Sequence, residues 1–222
     1  MQLRELIRKF RVLATDTQQP YLWEDPDVTD WLNEGQDEAC KRGRLLREEV
    51  LPGMCQIALE PGKHTYPLHE KAYEIIHLQI RPGSGSAPRH IALKSREWLD
   101  AECPRWREDP NPACIAIQDE RSLRLVGMVE AGDRLELEVY RLPLNPMACP
   151  TDAPEIHEGS QAKLIEWALH KAYSIPDSDT IDLQRSAAAE ANFTAHFGLP
   201  VDSDMRRASR IDVAHHTQLY LA

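Results

Sequence analysis

The chain changes its hydrophobic period twice, and this limits its possible folds more than any other feature. Apolar residues recur at helical spacing near both ends and at strand spacing in the middle. The clearest strand is residues 134–141, where Leu135, Leu137 and Val139 alternate with Glu136, Glu138 and Tyr140. That pattern buries one face and wets the other, as in an antiparallel sheet. The Ala131-Gly132-Asp133 turn before it predicts a hairpin with residues 123–129. Further strands are predicted at 56–60, 73–80, 91–93 and 114–118. A flexible loop is expected at 81–88 and a short helical turn at 95–103.

The ends read differently. Leu3, Leu6, Ile7, Phe10 and Leu13 form one apolar stripe of a first helix. A polar loop follows, carrying an aromatic knot, Tyr21-Leu22-Trp23. Asp25 before Pro26 predicts a helix start, because Asp caps free N–H groups and Pro fits the first turn. This second helix is expected to run to about Glu49, with Val28, Trp31, Leu32, Ala39, Leu46 and Val50 on its buried side. Pro52-Gly53 is its stop. Four prolines in 143–154 mark a linker. Beyond them 155–173 reads as a helix, Ile175-Pro176 as a break, and Asp177 or Ser178 as the cap of a last helix ending at Gly198-Leu199-Pro200.

The expected class is α+β. Residues 1–53 and 155–199 form a helical bundle, 54–142 an inserted antiparallel β region, 143–154 a linker and 200–222 an extended C-terminal docking arm. Leu219, Tyr220 and Leu221 in that arm are poorly placed unless a partner covers them.

The formal net charge of −10 argues against tight, sequence-independent binding of nucleic acid, which needs Lys and Arg to replace phosphate counterions. No apolar run has membrane-spanning length, and MQLRELIRKF lacks the apolar core of a secretory signal. Synthesis in the cytoplasm follows as the expectation.

No pattern of catalysis is found. There is no GxxxxGK[ST], GxGxxG, HExxH or GxSxG. His64, His69 and His77 match no common metal spacing, and the five cysteines contain no CxxC. No catalytic, cofactor or metal residue is assigned. Cys103 and Cys114 bracket a charged loop, either as free thiols or as a disulfide formed in oxidising surroundings. Within it, Trp106 between Arg105 and Arg107 is either a contact anchor or a ring folded back on its own sheet. Arg206, Arg207 and Arg210 would meet phosphate, an acidic protein surface or only solvent. His215-His216 reads as a solvated or interface pair.

Two stretches carry a resemblance. The first runs through Leu3-Arg4-Glu5-Leu6-Ile7, Tyr21-Leu22-Trp23-Glu24-Asp25 and Val28 to Ala39, including Trp31-Leu32-Asn33-Glu34-Gly35-Gln36. The second runs from Leu164 through Ala172-Tyr173, then across an acidic break to Phe193 and Phe197-Gly198. Together they resemble the adaptor family of tailed bacteriophages, the head-to-tail connectors that bind below the portal. The β insertion is most like that of the adaptors of short-tailed phages. Gly35 departs from the family pattern, which has alanine there.

The resemblance implies a structural virion protein and no enzyme. It implies a homo-oligomeric, dodecameric ring at the head-tail interface, continuing the channel for double-stranded DNA without specific binding. The arm would grip the portal protein, with Arg206, Arg207, Arg210, His215, His216, Leu219, Tyr220 and Leu221 as interface candidates. The β region, with Arg105, Trp106 and Arg107, would face the tail tube or nozzle protein.

Two other readings stay open. One is a small-ligand or carbohydrate-binding module using Tyr66, Tyr73, Trp98, Trp106 and Tyr140. The other is an enzyme of unassigned class, for which His77 and Cys114 would be the residues to change.

Overall fold

Helix α1 (Leu3–Ala14) buries Leu3, Leu6 and Phe10 at the predicted spacing. Its first turn is closed by the backbone N–H of Gln2 donating to the Glu5 carboxylate at 2.8 Å. Thr15 then leaves the helix in the left-handed conformation. Helix α2 (Asp25–Gly43) has Pro26 in its first turn and buries Val28, Leu32 and Ala39. It stops six residues before the expected end, Glu49, because Arg44 turns left-handed and Leu45 folds back over Gly43. A Cβ on Gly43 would lie 2.7 Å from Leu45 Cδ2, so the Leu45 side chain lies directly over the glycine.

The computed structural model describes residues 1–176 and 181–200. The described residues fall into two units. One combines Met1–Leu46 with Arg141–Pro200 and is helical; the other is Arg47–Tyr140 and is mostly strand. The class is α+β.

In the helical unit, residues 155–173 do not make the single helix expected. A short helix α5 (Glu158–Gln161) precedes α6 (Leu164–Ser174). Gln161 turns inward and donates to the carbonyls of Pro154 and Ile156, which separates the two. Helix α7 (Leu183–Phe197) is capped by Asp182, whose carboxylate accepts from Arg185 N–H, and ends at Gly198 with φ 95°. The caps expected at Asp177 or Ser178 lie outside the described residues. Helices α1, α2 and α7 all pack on α6. One continuous core joins Leu6, Phe10, Val28 and Leu32 to Leu164, Ile165, Ala168 and Phe193.

The second unit begins with β1 (Arg47–Glu48), a turn of helix α3 (Pro52–Cys55) and β2 (Gln56–Ala58). Then come β3 (Thr65–Pro67), β4 (Ala72–Arg81), β5 (Arg89–His90) and β6 (Ala92–Leu93). Helix α4 (Arg96–Glu102), capped by the Ser95 hydroxyl, leads through a 3-10 turn at Trp106–Glu108 to β7 (Ile115–Gln118), β8 (Ser122–Val126) and β9 (Arg134–Arg141). One sheet has the order β1-β9-β4-β5, with β2 also on β9; the other is β3-β8-β7-β6.

The predicted hairpin of 123–129 with 134–141 does not form. Strand β8 has both edges taken, by β3 and β7, while β9 lies in the other sheet. Met128 bridges back to Pro112, and Gly127 at φ 102° passes so close that a Cβ would sit 2.6 Å from the Asn111 carbonyl. The turn therefore carries the chain from one sheet to the other. The β region is also not wholly antiparallel, since β6 pairs with β7 in parallel.

The sheets are tied by one buried amide. Gln118 on β7 accepts from Ile75 N–H at 3.2 Å and donates to the Tyr73 carbonyl at 3.1 Å, both on β4. It gives each of these two backbone groups of β4 a partner from the other sheet.

Candidate assembly interface

The residues of the first resembling stretch have a shared physical task inside the helical unit. Asn33 on α2 donates to the Met147 carbonyl and accepts from Met147 N–H, both at 2.9 Å. Three residues on, the buried Gln36 accepts from Glu155 N–H at 2.7 Å. Both amides hold the proline-rich return segment, whose prolines lack N–H donors and so leave few backbone bonds to make. The segment is tied further by Asp152, which accepts from Ala148 and Cys149 N–H. Those two bonds hold its carboxyl below the usual 3.8. At the far end of α2, Arg42 donates to Glu38 and to Thr194 of α7 and lies over the Trp167 and Phe193 rings. Thus α2 clasps three later pieces of chain at Met147, Glu155 and Thr194.

The α1–α2 loop is equally built. Arg11 is buried and donates to Asp16 at 2.7 Å, to the Trp23 carbonyl at 3.1 Å and to Asp25. Its guanidinium lies 3.5 Å from the Tyr21 ring centroid. Asp16 also accepts from Leu22 N–H at 3.0 Å. The aromatic knot is split by this network: Trp23 points into the core against Phe10 and Tyr173, while Leu22 is left 58% exposed. Val12 and Leu13 on the last turns of α1 are 57% and 58% exposed.

In the strand unit, Trp106 is 3% exposed and packs with Leu99, Ile117 and Val126. Its indole N–H donates to Asp100 at 2.8 Å. Of the two readings of this ring, the structure takes the folded-back one; as an exposed anchor Trp106 is corrected. Arg105 and Arg107 remain on the surface. Arg107 also donates to Asp100 at 2.8 Å and stacks 4.2 Å from the Trp106 centroid. Those bonds, from Arg107 first and Trp106 second, lower the Asp100 pKa. Beside them, an open cleft of about 640 Å³ is lined by residues from Cys103 to Asn111 other than Arg107, and carries both signs of charge, Arg105 against Glu108 and Asp109.

The aromatic residues considered for a ligand site fall into separate places, with Trp98 packed on the Trp106 cluster and the others elsewhere. Tyr66 is buried with its hydroxyl bonded to the carbonyls of Glu60 and Lys63, Trp106 is core, and Tyr73 stacks on Tyr140 in the other sheet. His77 stacks on His90 instead of meeting His64 and His69, and no cluster of metal-ligating side chains occurs among the described residues. Cys103, Cys114 and Cys149 are exposed free thiols, and Cys40 and Cys55 are buried ones. Burial, then nearby Asp37 and Glu155, pushes the Cys40 thiol up to about 12.

The portal candidates Arg206, Arg207, Arg210, His215, His216, Leu219, Tyr220 and Leu221 lie outside the described residues. No described helix is long and apolar enough to cross a membrane. Sequence reasoning missed the Arg11–Asp16–Asp25 network, whose charges lie 5 and 14 residues apart. It also missed the roles of Asn33 and Gln36, although it had singled out their stretch.

None of the curated proteins matches this chain. A family model described as SU10 adaptor protein matches residues 1–214, which takes in both resembling stretches and the whole strand unit. The chain belongs to the SU10 adaptor protein family, a family of phage head-to-tail adaptors, and is a structural component of the virion.

Proposed function

We propose that copies of this chain form a dodecameric ring directly below the portal, extend the DNA channel and present a platform to the tail. The family match over 1–214 carries this reading. The internal clasp of α2 supports it, because a ring subunit under the pressure of packaged DNA needs a helical unit that does not open. Double-stranded DNA passes without specific binding, in keeping with a net charge of −10.

Within that reading, 200–222 is the arm that docks on the portal protein through Arg206, Arg207, Arg210, His215, His216, Leu219, Tyr220 and Leu221. Ordering an arm on a partner lowers affinity per unit area but lets it wrap a large surface. Arg105 and Arg107 face the tail tube or nozzle protein, positioned by the buried Trp106.

The test is negative-stain imaging of the purified chain mixed with its portal, beside a chain cut after Pro200. The full chain is expected to add a ring layer under the portal, and the cut chain to lose it. A full chain that stays folded and monomeric on portal would refute the ring. Undiminished binding by the cut chain would refute the role of the arm.

A further inference from the structure

We propose that neighbouring copies in the ring meet through the α1 face of one and the α2 face of the next, with Arg4 and Arg8 opposite Asp27 and Asp30. This rests on the ring reading above and names its subunit contact. Arg4 and Arg8 are exposed, one turn apart on α1, and neither has a carboxylate partner among the described residues. Asp27 and Asp30 are exposed, one turn apart on α2, and neither has a cationic partner among the described residues. Their neighbours on α2 are already engaged: Asp25 by Arg11, Glu34 by Lys171 and Glu38 by Arg42. Each pair stands about a turn apart on its own helix, the cations on α1 and the anions on α2 of one helical unit.

The spacings agree. At about 1.5 Å rise per residue, the arginine pair spans about 6 Å and the aspartate pair about 4.5 Å, within the reach of an arginine side chain. Val12 continues the arginine row one turn further, with Leu13 and Leu22 as the other exposed apolar side chains of that region. An apolar centre bordered by charge is the anatomy of a specific interface. A nucleic-acid partner would meet the arginines and leave the aspartates unmatched, whereas a second copy supplies both halves. In the ring, each copy gives α1 to one neighbour and α2 to the other, a heterologous contact that forms a ring when the rotation between copies closes.

The experiment uses the full chain and its portal. Three variants are compared with the unaltered chain: Arg4→Glu with Arg8→Glu, Asp27→Lys with Asp30→Lys, and all four changes together. Ring layers are counted in negative-stain class averages, and monomer folding is checked by thermal melting. The arginine variant is expected to melt like the unaltered chain, and the aspartate variant a few degrees lower but still cooperatively folded, because Asp27→Lys puts a cation in the first turn of α2. Each is expected to cut ring yield roughly tenfold or more, through like charges brought together. The fourfold variant, with every pair restored in reverse, is expected to recover the ring. Double variants that assemble normally, or a fourfold variant that fails while still folded, overturn this contact and leave the ring reading standing. An unaltered chain that makes no ring overturns both.

Discussion

Replacing Gly35 by alanine tests the closeness of α2 to α6, on which the clasp depends. In an exposed helix the change stabilises by about 1 kcal/mol, since alanine has less backbone freedom to lose. Here the new Cβ would stand 2.9 Å from Trp167 Cβ and 3.2 Å from Trp167 Cγ and Cδ1. Ordinary carbon contacts are about 3.5–4.0 Å, so the helices must part by roughly 0.6 Å or more. The crowding atom is Trp167 Cβ, which a rotamer change cannot move. The ring itself is held by Phe193 at 5.0 Å and His170 at 5.4 Å. Overpacking costs about 1–3 kcal/mol, and a crowded atom that cannot move aside puts this site in the upper part of that range, about 2–3 kcal/mol; less the gain of about 1 kcal/mol, Gly35→Ala is left about 1–2 kcal/mol less stable. Gly53→Ala is the control, because nothing lies within 4 Å of its added Cβ. Urea titration followed by tryptophan fluorescence should lower the midpoint for Gly35→Ala and leave Gly53→Ala equal or higher. Equal or greater stability for Gly35→Ala would refute the reasoning, and the alanine of the family pattern would then fit here without strain.

Arg11→Met leaves Asp16 buried without its cation, and is expected to cost about 3–5 kcal/mol in the same titration. Gln118→Leu strands Ile75 N–H and the Tyr73 carbonyl and should cost about 2–5 kcal/mol; a loss under 1 kcal/mol would mean the sheets find another tie. A thiol reagent at neutral pH should label Cys103, Cys114 and Cys149 quickly, and Cys40 and Cys55 only after unfolding, as read by intact mass. Asp152 has a folded pKa below its usual 3.8, so its contribution is fully present above that value and is lost as pH falls through the folded one. Melting profiles against pH should therefore show a shallower acid limb for Asp152→Asn than for the unaltered chain.

The elements set by local chemistry were legible from residues alone. Alternation placed β9 at 134–141, Gly198 marked the end of α7, and the stripe from Leu3 to Phe10 placed α1. What failed was long-range. The turn at 131–133 has hairpin chemistry, yet β8 is already paired on both edges, a fact that lies in Tyr66 and Ile117 rather than in the turn. Helix α2 ends early because Leu45 folds over Gly43, and a lone glycine inside a helical pattern gives no warning of that. Trp106 shows the same limit: its arginine neighbours are as compatible with a contact as with burial, and only Asp100, brought round by α4, decides for burial.

The clasp explains why the two resembling stretches, separated by the strand unit, occur together. Asn33 and Gln36 have no partners within α2; each spends its amide on a backbone group more than a hundred residues later. A buried glutamine without such a partner destabilises its helix, so Gln36 is tolerable only in a chain that returns. Arg42, whose side chain is 3% exposed, has Glu38 on its own helix but sends a second N–H to Thr194 of α7. A sequence that places three such polar groups on one helix therefore requires the later helices to close over it. The strand unit shares none of these three bonds, so the closing of the later helices over α2 does not rest on it.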